Sequence, residues 1–128
     1  MDSVSFEEQA TQLHDAHWNC CQAVLGCCCQ KFHMEPETAF RLGAFFGGGM
    51  RCGEVCGAVT GALMALGLAY GDENNRASQK SHAFLKAFRD AYGHLECKEL
   101  VAPPGMTKRQ MCPVYINFAA KYLEDEFR

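Results

Sequence analysis

Cys52-Gly-Glu-Val-Cys56-Gly-Ala-Val-Thr-Gly61-Ala-Leu-Met-Ala-Leu-Gly-Leu-Ala69 is the stretch on which the fold turns. From Cys56 to Gly71 it carries no charge and is rich in glycine and alanine. A bilayer-spanning helix wants about 20 residues, with more Leu and Ile than are found here. The segment therefore reads as a buried core helix over 53–69, closing at Gly71 before the polar turn Asp72-Glu73-Asn74-Asn75. Gly53, Gly57, Gly61 and Ala65 recur at every fourth position, which gives that helix a ridge of small residues. Each helical glycine costs about 1 kcal/mol relative to alanine, so several on one face point to close approach by another backbone. Such a ridge suits packing inside the fold or across a homodimer.

Helical signals continue on both sides. Residues 5–32 read as one helix: Ser5 and Glu8 form a capping-box pattern, and Phe6, Ala10, Leu13, His17, Cys20, Val24 and Cys27 recur with helical period. A shorter helix over 36–46 begins at Pro36 and stops at Gly47-Gly48-Gly49. Ala77, Ser81, Phe84, Phe88, Ala91 and Leu95 mark a helix over 76–92, with Gly93 set to kink it before Cys97. After the loop Val101-Ala-Pro-Pro-Gly-Met-Thr-Lys-Arg, Pro113 suits the first position of a last helix over 113–126, which makes Cys112 its N-cap. There is no β-alternation and no internal repeat. The expected fold is all-α: one domain over 1–128, a compact bundle of about five helices with the glycine-rich helix central.

Composition narrows the function. A chain of 128 residues builds one real core. Nine cysteines are far above ordinary usage, and an odd number cannot all pair within the chain. The start Met1-Asp2-Ser3-Val4-Ser5-Phe6-Glu7-Glu8 is acidic and does not resemble a secretory leader, so the expected compartment is the reducing cytoplasm. There, abundant Cys points to metal or catalysis rather than to structural disulfides. A net charge of −3 with no basic window argues against nucleic acid as a partner.

The thiols divide by context. Cys56 falls in the first turn of the third helix and Cys112 caps the last, where unpaired N–H groups and the helix dipole favour thiolate and lower the pKa. Cys20 lies on the inner stripe of the first helix, and Cys97 follows the fourth. One thiol from each of four elements suits an iron–sulfur cluster or zinc, since soft ligands select those metals. Without a Cys-x-x-Cys pair, such a site has to be assembled by the tertiary fold. Alternatively, Cys56 is a thiol–disulfide nucleophile with Cys52 or Cys97 as its resolving partner. Cys27, Cys28 and Cys29 are consecutive and cannot all face one site, so they read as small hydrophobes, as does Cys21. His17 and His94 stand three residues before Cys20 and Cys97, in place either to complete a mixed site or to serve ordinary structural roles. Glu54 reads as a base or as a first-turn carboxylate that suits the dipole.

Asn19-Cys20-Cys21-Gln22-Ala23-Val24, Gly47-Gly48-Gly49-Met50, Gly53-Glu54-Val55-Cys56-Gly57-Ala58-Val59-Thr60-Gly61-Ala62-Leu63-Met64, Cys97-Lys98-Glu99-Leu100 and Cys112 together resemble the redox-active protein family named for its C_GCAxxG_C_C cysteine motif. The likeness runs from residue 5 to 120, and the Cys-Gly-Ala-x-x-Gly element is its most specific part. It implies an all-helical domain, a redox role and four key cysteines, which fall on Cys20, Cys56, Cys97 and Cys112. A related domain occurs in split-Soret cytochromes, where four cysteines are thought to hold an iron–sulfur cluster. This chain lacks their Cys-x-x-Cys-His haem-attachment motif, so covalent haem is not implied. It also carries Cys21, Cys27, Cys28, Cys29 and Cys52, which the motif does not need. The leading expectation is a small redox protein binding an iron–sulfur cluster or other metal through the four cysteines, for electron transfer with a partner protein. A metal-free thiol–disulfide oxidoreductase is the alternative, and a structural zinc module for protein interaction the third.

Overall fold

The computed structural model describes residues 5–100, 105 and 108–127, the first two residues of the last stretch by backbone alone. The first four residues, on which the reading of the N-terminal start rests, lie outside the described residues, as does most of the Pro-Pro loop. Six α-helices make up the described chain: α1 (Phe6–Asp15), α2 (Cys20–Cys28), α3 (Pro36–Gly43), α4 (Gly57–Tyr70), α5 (Asn74–Tyr92) and α6 (Lys108–Glu126). The all-α expectation holds. Among the described residues, no helix is long and apolar enough to cross a membrane.

The helix expected over 5–32 is two helices. Ser5 caps α1 as its sequence suggests, its Oγ accepting from Glu8 N–H at 3.1 Å. After Ala16, however, His17 turns left-handed at φ 77°, and Asn19 starts a new helix. Asn19 Oδ1 accepts from Gln22 N–H at 2.8 Å, and Gln22 Oε1 accepts from Asn19 N–H at 2.9 Å, a reciprocal capping box. Asn19 Nδ2 also donates to the carbonyls of Gly43 and Ala44 at 3.1 and 3.3 Å, which ties α2 to the end of α3. A cap and a brace at one residue outweigh the continuing apolar stripe.

Helix α2 is buried nearly all round and packs against α1, α3, α4 and α6, so it shares the centre of the bundle with α4. Helix α4 begins at Gly57, later than the expected 53. Gly53 is left-handed at φ 79°, and Val55 is extended and pairs with Glu96 in an isolated antiparallel bridge. Gly53 therefore leaves the small-residue ridge. Gly57 and Gly61 remain on it, and they face α2: a Cβ at 61 would come within 2.8 Å of Cys21 O and 3.1 Å of Val24 Cβ. Helix α6 starts at 108 rather than 113, so Pro113 lies inside it and Cys112 is a helical residue, not a cap. Six rings pack α5 against α6: Phe84, Phe88 and Tyr92 meet Tyr115, Phe118 and Tyr122 at centroid distances such as 5.0 Å for Phe84–Tyr122 and for Tyr92–Tyr115.

Candidate functional site

The Val55–Glu96 bridge sets the site. Cys56 N–H donates to Leu95 O at 2.8 Å, and Cys97 N–H donates to Glu54 O at 2.6 Å, flanking the paired residues on either side. Neighbouring positions on extended chains face opposite ways, so Cys56 and Cys97 share the face that Val55 and Glu96 do not. They lie there diagonally across the two chains, a spacing at which side chains still interact. Cys56 then caps α4, its carbonyl accepting from Val59 and Thr60 N–H at 2.9 and 3.1 Å.

Glycines let the other thiols close in. Cys20 is the first residue of α2, and its sulfur rests against Gly57, where any Cβ would overlap it. The same Cβ would stand 3.0 Å from Cys21 N and 3.1 Å from Phe46 O. Gly49 is pressed on Cys97 in the same way, a Cβ there falling 2.8 Å from Cys97 Cβ and 2.7 Å from Glu54 N. Cys112 approaches on α6. One turn along, buried Tyr115 feels the charges of Cys56, Cys112 and Cys97, which add to burial in raising its phenol pKa. Cys20, Cys97 and Cys112 are half-buried, and Cys56 is 5 % exposed.

Burial reverses the expected electrostatics of Cys56. Its pKa is pushed up to about 12, first by burial and then by the neighbouring Cys20 thiol. The N–H groups of Ala58 and Val59 at the helix start do pull it down, as a dipole argument requires, but the loss of water outweighs them. The fold thus keeps the proton of Cys56 where the unfolded chain releases it from pH 9 upward. Tyr70, Tyr92, Tyr115 and Tyr122 are raised too, so the folded state holds more protons than the unfolded one at high pH. Stability of the metal-free protein is therefore expected to hold between pH 7 and 8 and then to fall by about 1 kcal/mol per pH unit above 9 from Cys56 alone. Urea midpoints at pH 8 and pH 10 measure this, and Cys56→Ser removes the Cys56 share of the slope. A midpoint that stays level to pH 10 sinks it.

Cys52 is not one helical turn from Cys56. Gly48, Gly49, Met50 and Arg51 all adopt left-handed backbone, with φ from 59° to 67°, and they swing Cys52 out to solvent. For Met50 and Arg51 that conformation costs roughly 1–2 kcal/mol each. The turn is held by Glu54 N–H to Gly49 O at 2.8 Å, Met50 N–H to Phe46 O at 3.2 Å and Arg51 Nη2 to Ala44 O at 3.1 Å. Strain of this kind gathers at functional sites. Glu54 is non-helical, at φ −79° and ψ −145°, rather than in a helical first turn, and it pairs with Lys98 Nζ at 3.1 Å.

The spare thiols behave as packing groups. Cys27 and Cys29 donate to the carbonyls of Val24 and Gly26 at 3.0 and 3.4 Å, and Cys28 is buried beside them. Burial pushes the Cys21 thiol up to about 11, and its sulfur lies 3.9 Å from Met64 Sδ. His17 sits in the left-handed link and His94 beyond the end of α5, so neither shares a helical face with the cysteine three residues on. Among the described residues, no three Cys, His, Asp or Glu side chains stand at metal-binding spacing.

Neither a curated protein nor a solved structure matches the chain. A family model does match, over residues 18–126, a span that takes in α2 to α6 and every cysteine. Its description is "Putative redox-active protein (C_GCAxxG_C_C)", and the chain belongs to that family.

Proposed function

We propose that Cys20, Cys56, Cys97 and Cys112 form one redox centre that takes up an iron–sulfur cluster or another soft metal, for electron exchange with a partner protein. The observation that carries this reading is the state of Cys56: buried, protonated, and flanked by the thiols of Cys20 and Cys97. A thiol with a pKa near 12 is a poor nucleophile at neutral pH, because the thiolate is the attacking form. A metal ion, by contrast, deprotonates its ligand thiol outright.

The donor set fits such a group, being four soft thiols beside the backbone N–H groups of Ala58 and Val59. When bound, an iron–sulfur cluster supplies one-electron exchange, and N–H groups directed at its sulfurs raise its potential. The chain would hold it between the loop before α4, the start of α2, the bridge segment and α6. Cys56 and Tyr115 exclude water on the inner side, while the half-buried thiols leave an outer edge for a partner.

Oxygen-free purification followed by visible spectroscopy and iron, sulfide and zinc analysis tests the proposal. Visible charge-transfer absorption with matching iron and sulfide is expected, and Cys56→Ser is expected to lose both. Stoichiometric zinc in a colourless protein would move the assignment to a structural zinc module.

The second reading, metal-free thiol–disulfide exchange, is favoured by the shared face of Cys56 and Cys97 and by the absence of ligand spacing among the described residues. The roles then invert relative to the sequence expectation: half-buried Cys97 attacks, and protonated Cys56 resolves. A metal-free protein carrying a Cys56–Cys97 disulfide after mild oxidation would establish it.

A further inference from the structure

We propose that Cys52 is a fifth redox thiol, which forms a reversible disulfide with Cys97 and thereby withdraws Cys97 from the four-thiol centre. The loss of a ligand rests on the proposed centre; the disulfide itself does not.

Gly49 stands between the two cysteines. Its carbonyl accepts from the Cys52 thiol at 3.7 Å and from Glu54 N–H at 2.8 Å, while its α-carbon is packed on Cys97. Gly53, on the other side of Cys52, lies against Lys98, where a Cβ would come within 3.3 Å of Lys98 Cβ. The ammonium of Lys98 in turn lies within electrostatic reach of Cys52. The residues on both sides of Cys52 thus ride on the segment that carries Cys97. Cys56 faces the interior instead, and the non-helical segment Gly53-Glu54-Val55 separates it from Cys52.

Exposure and strain give the pair its reactivity. Cys52 is exposed, so an oxidant reaches it first. The turn behind it holds Met50 and Arg51 in left-handed backbone, so opening the turn releases strain, and the proposed disulfide requires Cys52 to move past Gly49 toward Cys97. The oxidant is a small-molecule disulfide. The Cys52 sulfur loses its proton and attacks one sulfur of that disulfide, forming a mixed disulfide and expelling one small thiol. The Cys97 sulfur, losing its own proton, then attacks Cys52 and expels the second. Two protein thiols give up two electrons and two protons, and the small disulfide becomes two thiols.

The test treats the reduced full chain with glutathione disulfide, blocks remaining thiols at low pH, and cleaves with trypsin and a glutamate-specific protease. Cleavage after Glu54 separates Cys52 from Cys56, so mass spectrometry distinguishes their partners. A Cys52–Cys97 cross-link is expected, lost in Cys52→Ser, whereas Cys97→Ser keeps a glutathione adduct on Cys52. A Cys52–Cys56 link, or glutathione that stays on Cys52 while Cys97 remains free, overturns the proposal. Metal content is measured on the same samples before and after oxidation. A metal-free protein that forms the link defeats the proposed centre alone, whereas a metal-loaded protein that never forms it defeats this inference alone. With both in place, metal is lost on oxidation of the wild type and kept by Cys52→Ser.

Discussion

Gly57→Ala is expected to cost about 3 kcal/mol of stability, the upper range for forcing one extra methyl group into a packed interior. For a domain of this size that corresponds to a fall of about 10 °C in Tm. One methyl group does this because of what surrounds it. The added Cβ overlaps the Cys20 sulfur and presses on Cys21 N at 3.0 Å and Phe46 O at 3.1 Å. The last two are backbone atoms and cannot rotate aside, so α2 has to move off α4. The same shift takes Cys20 away from Cys56, and metal or redox function falls with stability. A control lies on the same helix: a Cβ at Gly67 meets nothing within 4 Å. Gly67→Ala is therefore expected to stabilise by about 0.5–1 kcal/mol through helix propensity and a stiffer unfolded chain. Thermal unfolding of the two variants checks both signs. Equal effects would mean that the close approach of α2 is not what position 57 requires.

Phe88→Ala is expected to be costlier still, about 4 kcal/mol, out of a total stability that for most domains is only about 5–15 kcal/mol. Phe88 is fully buried, with ring centroids 5.0 Å from Tyr92, 5.7 Å from Phe118, 5.9 Å from Tyr115 and 6.2 Å from Phe84. Truncation leaves a ring-sized void among side chains that are themselves fixed by edge-to-face contacts. The effect reaches the cysteines through Tyr115, which leans on Phe88 and stands one turn from Cys112. Alkylation of Cys112 in the metal-free variant is expected to speed up, while Phe88→Leu, which keeps most of the volume, restores the slower rate. Denaturant unfolding with mass-resolved alkylation measures both. An unchanged Cys112 rate in Phe88→Ala would uncouple the aromatic cluster from the site.

Local signals in the sequence led to local features of the fold. The Ser5 cap, Pro36 at the start of α3 and the buried Phe84 and Phe88 of α5 are each set by residues within a few positions, and each stands where its sequence points, whereas Ala91 of the same stripe is exposed. The departures have causes that a period cannot carry. The apolar stripe runs unbroken through 16–19, so the break there is visible only in the pair Asn19 and Gln22, a capping box that the stripe conceals. Helix α4 starts late because Val55 is claimed by Glu96, a partner far along the chain. Pro113 marks a helix start by statistics, yet the helix extends back to 108.

At the site, the identity of the cysteines was legible through the motif, whereas their electrostatics were not. A helix terminus argues for a low thiol pKa, and only the burial of Cys56 shows that desolvation wins. The separation of Cys52 from Cys56 was equally hidden, because four left-handed residues in succession include two that are not glycine.

The pairing of Val55 with Glu96 also orders events in time. It closes a loop of about 40 residues made of α4 and α5, and closing such a loop carries an entropy cost that local contacts do not repay until both helices have docked. Cys56 and Cys97 are therefore strangers on the nascent chain and meet only when that loop shuts. Maturation of any centre they share is a late step, a seal on a finished fold rather than a nucleus for it.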